Sequence, residues 1–105
     1  MNIAIDYDDT ISAAPEMFRM LITTMAQFGH KVYVVTYRPT DGDNSDMDWL
    51  QDEKYITDVL FTSLVAKKKY CEEFGINIDI WIDDCPQAIT HSFTASKWFY
   101  EDVQL

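Results

Sequence analysis

The sequence predicts an α/β fold, a three-layer parallel sheet of Rossmann-like form with helices on both faces. Two observations carry this expectation. Short apolar runs alternate with segments of helical period, the order that builds a parallel sheet through right-handed crossovers. The run Lys31–Thr36 (KVYVVT) has few polar interruptions, as a strand covered on both faces requires. A chain of 105 residues has room for one hydrophobic core, so residues 1–105 read as a single domain without a cap.

Asn2–Ile5 forms the first strand and stops abruptly at Asp6-Tyr7-Asp8-Asp9-Thr10. Pro15 suits the first turn of a helix, and Ala14, Met17, Phe18, Leu21, Met25 and Phe28 fall at the spacing of one buried stripe along it. Gly29 ends that helix. After the second strand a polar stretch, Arg38–Asp48, leads to a short helix around Met47–Lys54. Thr57–Phe61 is the third strand, Ala66–Phe74 a helix closed by Gly75, and Ile78–Ile82 the fourth strand. Pro86 starts the next segment. In the tail from His91 to Leu105, Trp98-Phe99-Tyr100 is expected to pack on the core, with an edge strand, a helix face or a homodimer contact as alternatives.

Composition narrows the partners. With 18 acidic residues against 8 Lys plus Arg the formal charge is −10, which opposes binding to long nucleic acid or an anionic lipid surface. A nucleotide or another small phosphorylated substrate remains open, provided a divalent cation mediates. No apolar run approaches the roughly 18 residues of a membrane span. Met1–Asp6 lacks the layout of a signal peptide, so a soluble cytoplasmic protein is expected. Cys71 and Cys85 form no disulfide framework and no zinc-ligand spacing. The sequence alone suggests no functional role for His30 or His91.

In a parallel sheet of this kind, polar groups just beyond the carboxyl ends of the strands converge in one crevice. From Lys67, a helix of about nine residues descends roughly 14 Å and a strand of about five climbs back roughly 17 Å, which returns Asp83 to the same edge. The same estimate for the first helix and second strand, roughly 21 Å down and 17 Å up, puts Thr36 beside the Asp6 loop. Asp6, Asp8, Asp83, Asp84, Thr36 and Lys67 should therefore share a pocket. Carboxylates so close repel, and Mg²⁺ is the natural remedy because it takes a few carboxylates and keeps water and substrate phosphate in its shell. A site with Mg²⁺, a Lys and a Thr hydroxyl is equipped for a phosphoryl group, with one carboxylate left to attack or to move protons.

These residues resemble a known family. IAIDYDDTI is similar to motif one of the haloacid dehalogenase-like phosphohydrolases, an apolar strand followed by D-x-D-x-T. VVTYR resembles motif two, Lys67 in AKKKY motif three, and IWIDDCP the acidic-pair form of motif four. The resemblance covers about residues 2–90, and the IDDCP ending is similar to that of polynucleotide kinase-phosphatase domains, of carboxy-terminal-domain phosphatases and of small phage or bacterial proteins. It implies a capless phosphohydrolase, a phosphomonoesterase whose substrate is a nucleotide, a nucleic-acid end or another phosphomonoester. Asp6 would be the nucleophile that forms an aspartyl-phosphate, and Asp8 the acid and base, with both reaching Mg²⁺. Thr36 would bond a phosphoryl oxygen, Lys67 would hold Asp6 and phosphate together, Asp84 would bind Mg²⁺ with Asp83 beside it, and Arg38 would clamp phosphate.

Several features depart from the pattern or compete with it. Lys67, Lys68 and Lys69 are consecutive, and Lys67 lies nearest the helix start. Tyr37 stands where many members carry a small residue. Asp83 and Asp84 also read as a helix cap before Pro86. Asp41–Asp46 fails as an EF-hand, since its sixth position is Asp46 where Gly is needed and its twelfth is Asp52 where Glu belongs; a mobile acidic loop is expected instead. Two rival functions are a protein of the same fold that binds metal and phosphate with little turnover, and a receiver-type phosphoacceptor. The latter needs an Asp ending the third strand, where Phe61-Thr62 stands.

Overall fold

A computed structural model describes residues 1–93 and, as backbone, 94 and 97–100. Four strands, β1 (Asn2–Ile5), β2 (Lys31–Thr36), β3 (Asp58–Phe61) and β4 (Ile80–Ile82), form one sheet in the order β3-β2-β1-β4. All three pairings are parallel, with Ile5 beside Val34 and Ile82, and Thr36 beside Phe61. Helix α1 (Pro15–Gln27) follows β1, a 3₁₀-helix spans Ser45–Asp52, α2 (Lys67–Glu73) precedes β4, and a single turn α3 (Gln87–Thr90) follows it.

Strand alternation divides the core into two layers. Ile3, Ile5, Val32 and Val34 point to one face, where Phe18 and Ile22 of α1 and Met47 and Leu50 of the 3₁₀-helix cover them. Ala4, Tyr33 and Val35 point to the other, against Cys71 of α2, Ile76, Ile78 and Trp81. Helices thus lie on both faces of a parallel sheet, an arrangement compatible with the expected α/β class. No helix among the described residues is long and apolar enough to cross a membrane.

Both long helices end as the glycines predict. Gly29 and Gly75 take φ of +90° and +74°, a region open to glycine without steric penalty. The amides beyond them close back onto the helix, His30 N–H donating to Met25 O and Ile76 N–H to Cys71 O.

Three expectations need correction. The buried stripe of α1 is centred on Phe18 and Ile22 with Ala14 and Met25 beside them, whereas Met17, Leu21 and Phe28 are exposed. The apolar arc of this helix is wider than the strip of sheet beneath it, and residue spacing counts the whole arc. The segment at 45–52 is a 3₁₀-helix rather than an α-helix over Met47–Lys54. Strand β4 begins at Ile80 rather than Ile78; the Asp79 amide already bonds Asn2 O across to β1.

The tail forms an antiparallel pair, β5 (His91–Thr94) with β6 (Lys97–Tyr100), separate from the main sheet. Ser92 Oγ accepts the Ala66 amide at the start of α2, and the Phe93 amide donates to Leu64 O. The packing expected of Trp98-Phe99-Tyr100, and the homodimer contact beside it, lie outside the described residues.

Candidate functional site

The turn after β1 is built by its own polar residues. Thr10 N–H and Ser12 N–H return to Tyr7 O, and Ile11 N–H to Asp6 O. Asp9 takes φ of +61°, which Asp tolerates better than most side chains. The Asp6 amide donates to Ile82 O, so the β1–β4 ladder runs into the turn and carries Asp6 to the end of β4.

There Asp6 meets Asp83 and Asp84. One carboxylate oxygen from each lies within 4.8 Å of the others. Lys67, only 1% exposed at the first turn of α2, sends Nζ to Asp6 Oδ1 at 2.7 Å and to Asp83 Oδ2 at 2.6 Å. Of the three consecutive lysines, Lys67 is thus joined to Asp6 and Asp83. Asp83 Oδ1 accepts the Cys85 amide at 2.9 Å, so this side chain caps its own loop, while α3 has no side-chain cap. The Thr10 hydroxyl lies 3.1 Å from both Asp6 Oδ2 and Asp84 Oδ1.

The electrostatics follow from burial. Desolvation pushes the Asp6 carboxyl up to about 7, against the pull of the Lys67 ammonium, and its hydrogen bond with Asp84 raises it further. That same bond holds the exposed Asp84 carboxyl below its usual range. Of the two carboxyls Asp6 is therefore the harder to ionise. Oxygen donors massed around a single ammonium fit a hard divalent cation, which would favour the ionised form of Asp6.

Asp8 and Arg38 form a second cluster on the rim. Arg38 grips Asp8 through Nε to Oδ2 at 3.0 Å and Nη2 to Oδ1 at 2.6 Å. It grips Asp46 equally, through Nη1 to Oδ1 at 2.7 Å and Nη2 to Oδ2 at 2.8 Å. Hydrogen bonds to these two carboxylates, that of Asp46 first, raise the Arg38 guanidinium well above its ordinary range, and Arg38 in turn lowers Asp46. The guanidinium lies 5.5 Å from the Tyr7 ring centroid. The Tyr7 hydroxyl donates to the backbone oxygen of Asp46 and accepts from the Trp49 indole.

A cleft of about 200 Å³ collects Asp6, Asp8, Lys67, Asp83 and Asp84, with Tyr37 and Cys85 on its walls. Thr36 does not line it: its side chain is fully buried, and its hydroxyl accepts the Arg38 amide at 3.3 Å. The Tyr37 ring lies over Lys67, with Nζ 6.0 Å from the ring centroid, and its hydroxyl donates to His91 O. Sequence reasoning gave no role to Thr10 or Asp46. The first was legible as the last letter of D-x-D-x-T; nothing in an irregular acidic loop signals that Asp46 folds back onto Arg38. Comparison with protein-family models, curated proteins and solved structures finds no match for this chain.

Proposed function

We propose that this chain is a Mg²⁺-dependent phosphomonoesterase of the capless haloacid dehalogenase-like type. The observation that carries the reading is the bridge of the buried Lys67 ammonium between Asp6 and Asp83, beside Asp84, at the carboxyl edge of a parallel sheet. Strand-end acids, an ammonium and a rim arginine form the equipment that phosphoryl transfer needs, which is largely charge stabilisation and positioning.

Asp6, Asp83 and Asp84 would hold Mg²⁺, which when bound offsets negative charge on the phosphoryl oxygens. Asp6 attacks phosphorus through a carboxylate oxygen, and the phosphorus–oxygen bond to the leaving alcohol breaks. Asp8, once it has taken up a proton, gives it to that alcohol and then takes one from the water that hydrolyses the aspartyl-phosphate, so inorganic phosphate leaves and both Asp6 and the protonated Asp8 are regenerated. Lys67 holds Asp6 in place and neutralises charge as it develops. Arg38 meets phosphoryl oxygens at the rim. Thr36 supports this from below, since its hydroxyl fixes the backbone amide of Arg38.

Hydrolysis of a generic aryl phosphate tests the reading. Phosphate release should require Mg²⁺ and should fall by a factor on the order of 10⁴ or more in Asp6→Asn, the scale of losing a covalent nucleophile. Absence of turnover in the wild type, or equal turnover in the variant, would overturn it.

A further inference from the structure

Arg38 has five N–H donors, and the structure uses every one of them. Nε and one Nη2 donor go to Asp8, the second Nη2 donor and one Nη1 donor to Asp46, and the remaining Nη1 donor to Asn44 Oδ1 at 3.4 Å. Each carboxylate occupies one edge of the guanidinium in the two-point manner in which a phosphate would bind it. A phosphoryl group can reach Arg38 only by displacing one of them.

The two carboxylates are exposed alike, Asp8 at 51% and Asp46 at 55%, and they differ in place. Asp8 sits in the hydrogen-bonded turn after β1, on which Thr10, Ile11 and Ser12 close. Asp46 is the second residue of the 3₁₀-helix and, unlike Asp8, does not line the cleft. Its backbone is anchored independently, by the Tyr7 hydroxyl on its carbonyl and by the buried Met47 that follows. The carboxylate can therefore swing into water while the loop stays in place.

We propose that Asp46 is an internal competitor for the substrate phosphate, a carboxylate that occupies the phosphate edge of Arg38 until a phosphoryl group displaces it. This rests on the reading of the cleft as a phosphate site and adds a specificity device to it. A phosphoryl dianion brings more charge and more oxygens than a carboxylate and wins the exchange, whereas a carboxylated or uncharged compound gains little over Asp46. The same swing leaves the Asp8 edge of Arg38 intact, so the acid–base residue stays positioned when the phosphate arrives.

Calorimetric titration with inorganic phosphate in the presence of Mg²⁺ tests the proposal without turnover. The wild type should bind phosphate and Asp46→Asn should bind it about two- to fivefold more tightly, the affinity equivalent of removing one exposed ion pair. In an Arg38→Met background the same Asp46→Asn change should have no effect. A melting curve for each variant establishes that it is folded. Unchanged or weaker binding by Asp46→Asn would show that Asp46 only supports Arg38 and would end the proposal. A gain that persists without Arg38 would end it too, because the gain would then come from the general field. If neither the wild type nor Asp46→Asn binds phosphate, the phosphate-site reading itself falls and the competitor falls with it.

Discussion

The ammonium of Lys67 stands 2.7 Å from Asp6 and 2.6 Å from Asp83, so a single buried cation ties together carboxylates that follow two neighbouring strands, β1 and β4. Lys67→Met keeps the length of the side chain and removes the charge. It should lower stability by about 3–5 kcal/mol near pH 8, the usual consequence of leaving a buried charge without its partner. Urea denaturation reads this directly. The loss should shrink near pH 5, where Asp6 carries a proton.

The pH dependence of the metal-free protein follows from Asp6. Its carboxyl rises from 3.8 to about 7 on folding, so its contribution to stability is complete below the lower value and is lost as pH rises through the upper one. Asp84 moves the other way, and its contribution is lost only in stronger acid. Melting temperature without divalent metal should therefore fall from about pH 5 to about pH 8, and the stabilisation given by Mg²⁺ should be larger at the higher pH. Asp6→Asn should flatten both trends. Equal melting curves with and without Mg²⁺ near pH 8 would argue against a formed metal site.

The two thiols should react very differently. Cys71 is buried against the sheet, and burial pushes its thiol up to about 11. Cys85 is partly exposed on the wall of the cleft. Iodoacetamide should modify Cys85 in the native protein and spare Cys71 until denaturant is added, because the thiolate is the reactive form and needs access. Peptide mapping by mass spectrometry separates the two.

Core packing on the Asp46 side rests on the 3₁₀-helix. Leu50→Ala, at a side chain only 2% exposed, should lower stability by about 2–5 kcal/mol. Phe28→Ala, larger but 78% exposed, should change it by no more than about 0.5 kcal/mol. Thermal melts of the two variants check the contrast.

Much of the scaffold was legible because strand-forming runs and helix-ending glycines act locally. KVYVVT needs two covered faces wherever it sits, and Gly29 and Gly75 end their helices through bonds a few residues long. Asp6, Lys67, Asp83 and Asp84 could be gathered from strand and helix lengths alone, since a parallel sheet sends every strand end to one edge. The phase of α1 was not legible, because Met17 and Phe28 differ from Phe18 only in what the sheet is wide enough to cover. Nor was the position of Thr36 beneath the cleft, which depends on the direction of one side chain at the end of β2. The Asp46 contact depends on the path of an irregular loop with no period to read.

Strand β4 has a strand neighbour on one side only among the described residues, and it is three residues long. Two of the three clustered carboxylates therefore hang from a border of the sheet, while Asp6 leaves an interior strand. Any ion or anion that grips both Asp6 and the β4 pair acts as a rivet at that border, so occupancy of the cleft and slow amide exchange along β4 should rise and fall together.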